Sequence, residues 1–188
     1  MSAGSILTIV SIIWIATEIL LVFIRRVQPG DKKMEKSSAL AIWSTIFVSV
    51  ALASFLGSQE YGHLGSQFGL LRVVGIILIV LGIIIRWTAI FSLKRQFTVD
   101  VAITKNHRLI TGGIYHYVRH PSYTGALLSF LGLGFTIPNY FSLPVLFIPI
   151  CSVFLYRIHV EEAALTSAFG EEYRKYKDST KRLIPWIY

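Results

Sequence analysis

The chain has 188 residues, of which 54% are hydrophobic and 15% charged, with a formal net charge of +8 and a mean hydropathy of +0.62. Soluble domains usually carry about 25% charged residues, so this composition excludes an ordinary soluble domain and indicates a membrane protein. Because one membrane span takes about 20 mostly apolar residues, five spans would use most of the length and leave no room for a large soluble domain.

The first half of the chain contains three apolar segments. The first is too long for the core of a signal peptide and is followed directly by Arg25 and Arg26, so we expect a retained span. Inside the spans, Glu18 is expected to make a polar contact within the bundle, and Arg86 is close enough to a membrane surface to extend its charge into water. The three predicted spans cover residues 5–24, 38–56 and 70–93.

The second half, residues 94–188, begins with the longest polar stretch, which ends at residue 125. The apolar block that follows, residues 126–160, is too long for one span, and Pro138-Asn139 predicts a tight turn within it. It is therefore predicted as a helical hairpin. The tail from Glu161 has the spacing of an amphipathic helix lying at the membrane surface. The predicted fold is an all-α, polytopic membrane protein: one domain, 1–188, with a three-span part (1–93), two further spans and a C-terminal amphipathic helix.

The distribution of basic residues predicts the orientation of this bundle. Lysines and arginines are concentrated in the segments after the first and third spans and in the tail, whereas the other connections carry none. Since cytoplasmic loops carry the excess of Lys and Arg, we expect the N-terminus outside and the C-terminus in the cytoplasm. This bias and attraction to anionic lipid headgroups account for much of the net charge, so no nucleic-acid partner is predicted.

Two polar clusters adjoin the last two spans. In the first, residues 113–123, Pro121 disfavours helical geometry at His120 and suits the first position of a helix. The free N–H groups of that helix start, together with Arg119, would attract an anion. Gly112-Gly113 permits close approach of the backbone to a ligand. Flat amphipathic surfaces for an aromatic or cationic ligand are offered by Tyr115 and Tyr123.

The second cluster, residues 157–162, carries charges of both signs. Arg157 and Glu161 are four residues apart and could pair on one helix face, which leaves Glu162 pointing elsewhere. Taken alone, such a pair is more often a surface ion pair, and Arg119 alone could be a membrane anchor. His116 and His120 have a metal-ligand spacing, but the sequence offers no evident third ligand, so no metal site is predicted.

Together these motifs resemble the isoprenylcysteine carboxyl methyltransferase family, integral membrane enzymes that use S-adenosylmethionine. The resemblance covers roughly the C-terminal half, and the short chain looks most like compact prokaryotic members. Several motifs in a fixed order are much more specific than any one of them. The motifs are His107-x-Leu-x-Thr111-x-Gly113-x-Tyr115, Arg119-His120-Pro121-Ser122-Tyr123-x-Gly125, Arg157 with Glu161-Glu162, Phe169-Gly170-x-x-Tyr173-x-x-Tyr176, and Ile184-Pro185.

The resemblance also implies residue roles. Arg157 would bind the carboxylate of the acceptor, and Arg157 and Glu162 would be the catalytic pair. The expected cofactor contacts are His107, Arg108, Leu109, Ile110, Tyr115, Arg119, His120, Pro121, Ser122, Tyr123, Glu161 and Glu162.

A carboxyl group with an ordinary pKa of about 4 is already an anion at neutral pH, so its methylation needs positioning rather than a base. We therefore expect an S-adenosylmethionine-dependent methyltransferase that acts on a carboxylate of a membrane-embedded acceptor, such as an isoprenylcysteine-like lipid. Two alternatives stay open: a phospholipid or amine N-methyltransferase, which would need a base, and an NADPH-dependent enzyme resembling sterol reductases. A scaffold or transporter should instead place its polar residues near the middle of the bilayer.

Overall fold

The computed structural model describes residues 3–24, 32–35, 37–65, 68–93, 101–103 and 109–188. The elements in chain order are α1 (Ala3–Ile24), β1 (Lys32–Glu35), α2 (Ser37–Gly57), α3 (Phe68–Leu93), β2 (Val101–Ile103), a 3-10 turn (Gly113–His116), α4 (Pro121–Phe135), α5 (Ser142–Phe169) and α6 (Glu171–Ser179).

The hydrophobic body is all-helical, as predicted. Two short strands, β1 and β2, pair antiparallel and were not predicted from the sequence. They lie in the polar segments that follow α1 and α3. Since α1 and α3 end on the same side of the bundle, the backbone groups of the two strands can pair with each other.

Four of the described helices are long and apolar enough to span a membrane: α1, α2, α3 and α5. This confirms a multi-pass membrane protein. Helix α4 has 15 residues, or about 22 Å at 1.5 Å per residue, which is less than the hydrocarbon core of about 30 Å. The fifth span therefore stays a prediction.

The end of α5 differs from the expected boundary. The predicted boundary between a span ending at Val160 and a separate helix beginning at Glu161 was wrong, because α5 continues without a break to Phe169. The chain turns at Gly170, where a φ of +53° favours a residue without a side chain. Helix α6 then buries Tyr173 and Tyr176 against the protein and exposes its charged residues, except for the half-buried Lys177. Its location at a membrane surface stays a prediction.

Glycines bring α3 and α4 into backbone contact. A Cβ added at Gly82 would lie 2.5 Å from the Gly125 carbonyl oxygen, and one added at Gly125 would lie 2.5 Å from that of Gly82. Gly75 and Gly132 face each other in the same way, seven residues along each helix in opposite directions. Small residues allow such close packing where lipid supplies no hydrophobic force between helices. This contact fixes the start of α4 beside the last third of α3.

The remaining helices close around this pair. Trp14 of α1 meets Phe130 of α4 edge to face, with ring centroids 4.9 Å apart. At the end of the bundle away from the α4 start, the predicted turn separates α4 from α5. Asn139 is buried there and donates to the carbonyls of Leu56 (2.8 Å) and Tyr61 (2.7 Å). This amide anchors the turn to the end of α2.

Replacing Gly125 with valine should separate α3 from α4, because the new side chain has no space beside Gly82 and Arg86. Overpacking of this kind costs about 1–3 kcal/mol, so we expect a lower melting temperature in detergent. Gly69→Ala is the matched control on α3, since a Cβ there meets nothing within 4 Å. Equal melting temperatures for Gly125→Val and Gly69→Ala would contradict the packing described.

Candidate active site

The two polar clusters meet at one end of the bundle. His120 directly precedes α4, and its ring nitrogen Nε2 lies 3.3 Å from Oε1 of Glu162 on α5. One turn into α4, the Tyr123 hydroxyl donates to Oε2 of Glu161 at 2.9 Å. The start of α4 and the last third of α5 therefore share one site, in the arrangement expected from the sequence.

The Glu162 carboxylate is the centre of this site. Its side chain is 4% exposed and accepts hydrogen bonds from Arg119 Nε (3.1 Å) and from Arg182 Nη2 (2.8 Å) and Nε (3.3 Å). Lys177 Nζ lies 3.9 Å away. A buried carboxylate is tolerated only when it is paired in this way. Glu162 thus ties the start of α4 to α6 and to the C-terminal segment.

Arg119 reinforces the same junction. Its Nη1 donates to the carbonyl oxygens of Lys177, at 3.0 Å, and Thr180. The backbone N–H groups of Arg119 and His120 donate to the carbonyls of Lys181 (2.8 Å) and Arg182 (3.1 Å). The C-terminal segment therefore runs alongside residues 118–120 and fixes the backbone just before α4.

Arg182 is a further residue of this junction, and it was not predicted from the sequence. Its side chain pairs with Glu162, and its backbone carbonyl accepts a hydrogen bond from the backbone N–H of His120. Its hydrogen bond with Glu162 raises its pKa above the ordinary value, so the guanidinium stays charged. In the sequence, a basic residue in a basic tail is typical of a cytoplasmic anchor, and no motif indicates that the tail folds back onto α4.

Buried tyrosines hold the loop before α4. The Tyr115 hydroxyl donates to the Ala89 carbonyl of α3 at 3.4 Å, and the Tyr115 carbonyl accepts the Tyr176 hydroxyl of α6 at 2.6 Å. Burial raises the pKa of Tyr115 well above its usual value and that of Tyr176 to about 12. Both hydroxyls therefore remain protonated donors at neutral pH. Gly113 has a φ of +62°, in keeping with the permissive turn expected there.

Arg157 lies on α5 one turn before Glu161 and is 2% exposed. Arg157 and Glu161 both contact the Tyr123 hydroxyl, which donates a hydrogen bond to Glu161 and also interacts with Arg157. A cation, a phenol and a carboxylate are thus aligned between α4 and α5. Such a set can hold an anionic group beside a cationic one.

The structure describes four of the other expected contacts. Pro121 and Ser122 are buried in the first turn of α4, and Ile110 is half-buried. His107 and Arg108 lie outside the described residues. Leu109 borders a cavity of about 370 Å³ between the loop before α4 and α6. The cavity is lined by Leu109, Thr111, His116, Glu172, Lys175, Tyr176, Ser179 and Thr180.

Comparison with known proteins identifies the family. The profile of the isoprenylcysteine carboxyl methyltransferase (ICMT) family matches residues 74–167, which include most of α3 and all of α4. Among solved structures, the chain resembles that of the eukaryotic intramembrane Ras methyltransferase ICMT, with a TM-score of 0.54 and 25% identity. That similarity covers 80% of this chain and 52% of the other.

Several protein-S-isoprenylcysteine O-methyltransferases are similar in sequence. Form B from Arabidopsis thaliana is 31% identical over 157 residues, which are 82% of this chain and 76% of that protein. The Schizosaccharomyces pombe enzyme is 38% identical over 57% of this chain, and the human enzyme 33% identical over 64%. The chain spans less than half the length of these two, 46% and 43%. The profile match and the Arabidopsis relative establish that this chain belongs to the isoprenylcysteine carboxyl methyltransferase family.

Proposed function

We propose that the protein is a methyltransferase that transfers the methyl group of S-adenosylmethionine to a carboxylate of a lipophilic, membrane-embedded acceptor. Enzymes of this family use that methyl donor. The observation that carries the proposal is the junction at Glu162, where a buried carboxylate joins Arg119 and His120 at the start of α4. Arg157 lies between one and two turns away on the same helix, so an anion site adjoins the junction.

The cavity beside α6 suits part of such a donor. S-adenosylmethionine combines apolar and aromatic surface with an ammonium and a carboxylate. The cavity wall likewise combines Leu109 and Tyr176 with a carboxylate on Glu172 and an ammonium on Lys175. Its volume lies within the usual range of small-molecule sites, about 300–1,000 Å³. The proposed contacts are His107, Arg108, Leu109, Ile110, Tyr115, Arg119, His120, Pro121, Ser122, Tyr123, Glu161 and Glu162.

When bound, the donor supplies a methyl group already activated by a sulfonium. The acceptor carboxylate is already an anion at neutral pH, so no residue has to remove a proton. We assign Arg157 to bind and orient this carboxylate, and the buried setting to exclude water. Because Glu162 is surrounded by cations of the protein itself, we assign it to positioning Arg119 and His120 in addition to its proposed contact with the donor.

The proposal includes five spans, with the N-terminus outside and the site at the cytoplasmic surface. Helix α4 can be shorter than the bilayer because most of its surface is buried by protein rather than lipid. Helix α5 has 28 residues, or about 42 Å, so its end carrying Glu162 can extend beyond the hydrocarbon core. Residues 94–188 then supply most of the site residues, and residues 1–93 pack around them.

Cofactor binding tests the reaction class. We expect S-adenosylhomocysteine, but not NADPH, to raise the melting temperature of the purified protein in detergent. At a concentration 100 times its Kd, a ligand stabilises the folded state by about 2.7 kcal/mol. Stabilisation by NADPH alone would contradict a methyltransferase.

Arg157→Ala should reduce turnover more than cofactor affinity. Losing a hydrogen bond to a charged group costs about 1.5–3 kcal/mol, so we expect kcat to fall by about 10- to 100-fold. The Kd for S-adenosylhomocysteine should change by less than about threefold, since Arg157 is assigned to the acceptor. Arg174→Ala is the control, because the pair that this arginine forms with Glu171 is exposed. A larger effect on Kd than on kcat would reject the assignment.

Arg182→Ala should loosen the site, because it removes two hydrogen bonds from buried Glu162. We expect a stability loss of about 1–3 kcal/mol and weaker binding of S-adenosylhomocysteine. Arg174→Ala should change stability by less than about 0.5 kcal/mol, as an exposed pair contributes little. The measurements are thermal unfolding and calorimetric titration. Parent-like values for Arg182→Ala would show that the tail does not support the site.

A further inference from the structure

A second ion pair lies inside the helical bundle and shares no residue with the Glu162 junction. Glu18 of α1 and Arg86 of α3 form it, with Arg86 Nη2 2.7 Å from Oε2 and Nε 2.6 Å from Oε1. The two side chains are 21% and 15% exposed. Both residues lie within helices that are apolar and long enough to span the membrane. Charges in such segments are costly and are usually functional.

The arginine of this pair also reaches the start of α4. Arg86 Nη1 donates to the Ser122 hydroxyl at 3.1 Å and to the Ser122 carbonyl at 3.2 Å. Ser122 is the second residue of α4, two positions after His120. The backbones are also close here, since a Cβ at Gly125 would lie 2.6 Å from the Arg86 nitrogen. One guanidinium therefore connects α1, α3 and the first turn of α4.

Burial of the pair does not by itself account for its presence. A buried ion pair often adds no more stability than well-packed apolar side chains of similar volume. The planar guanidinium fork can hold a carboxylate with one edge while its remaining N–H groups bind Ser122. Fixing the direction of the first turn of α4 is a task that apolar packing performs poorly.

We propose that Arg86, oriented by Glu18, is a positioning residue that fixes the first turn of α4 and thereby places His120 at the active site. This role rests on the proposed methyltransferase function as far as turnover is concerned. The effect on α4 itself depends on the fold alone. The three-span part of the chain would thus control the geometry of the site through one side chain.

The test compares Arg86→Met, Arg86→Lys and the parent protein in detergent, with Arg72→Met as the control from the other end of α3. One measurement is hydrogen exchange at the backbone amides of Tyr123 and Thr124. Both donate to the His120 carbonyl at 3.0 Å and so report the first turn of α4. The second is methyl transfer from S-adenosylmethionine to a prenylated cysteine carboxylate, and the third is thermal unfolding.

Lysine separates positioning from neutralisation of charge. It keeps the charge opposite Glu18 but lacks the fork that reaches Ser122 at the same time. We expect Arg86→Lys to melt like the parent, yet to show about tenfold faster exchange at the two amides and about tenfold lower kcat/KM, the loss expected for one charged hydrogen bond. Arg86→Met should show the same local change with lower stability. Arg72→Met should change neither the exchange rates of the two amides nor turnover.

Parent-like exchange in Arg86→Lys would overturn the proposal, as would a rise in exchange that is equal across α4 and α5. Glu18→Gln provides a second check. If Glu18 acts only through Arg86, the double variant Glu18→Gln/Arg86→Met should lose no more kcat/KM than Arg86→Met alone, whereas losses that multiply would show independent roles. If the parent transfers no methyl group, the proposed function fails, and the exchange measurement still decides the role of Arg86.

Discussion

The buried Glu162 carboxylate is the constraint on which the site depends. Removing a carboxylate from water is costly unless cations and hydrogen-bond donors surround it, and here the cations come from three separate segments. Arg119 precedes α4, Lys177 lies on α6 and Arg182 belongs to the C-terminal segment. The need to pair one charge therefore brings together chain segments that are distant in sequence.

The helices supply the rigid frame for this junction. Glycine contacts between α3 and α4 set the position of the α4 start, and Asn139 fixes the opposite end of the hairpin. A functional constellation is more accurately held on packed helices than on free loops. In this protein the loop before α4 is itself held, since Tyr115 contacts α3 and its carbonyl binds Tyr176.

The sequence predicts much of this because hydropathy and local motifs determine it. Apolar length locates the spans, and His120-Pro121 marks the helix start that the structure contains. The rest depends on contacts between distant segments. The pairing of Arg182 with Glu162 requires the tail to fold back, and the continuation of α5 past Val160 has the same periodicity as a separate amphipathic helix. The glycines of α3 and α4 indicate close helix packing only once the two helices are known to face each other.

The identity of the methylated product tests the central claim most directly. The parent protein and Glu162→Gln would be incubated with isotope-labelled S-adenosylmethionine and a prenylated cysteine with a free carboxylate. A methyl ester is cleaved by alkali and releases its label as methanol, whereas an N-methyl group is not. The account predicts alkali-labile label from the parent and little from Glu162→Gln. Alkali-stable label, or equal labelling by the two proteins, would contradict it.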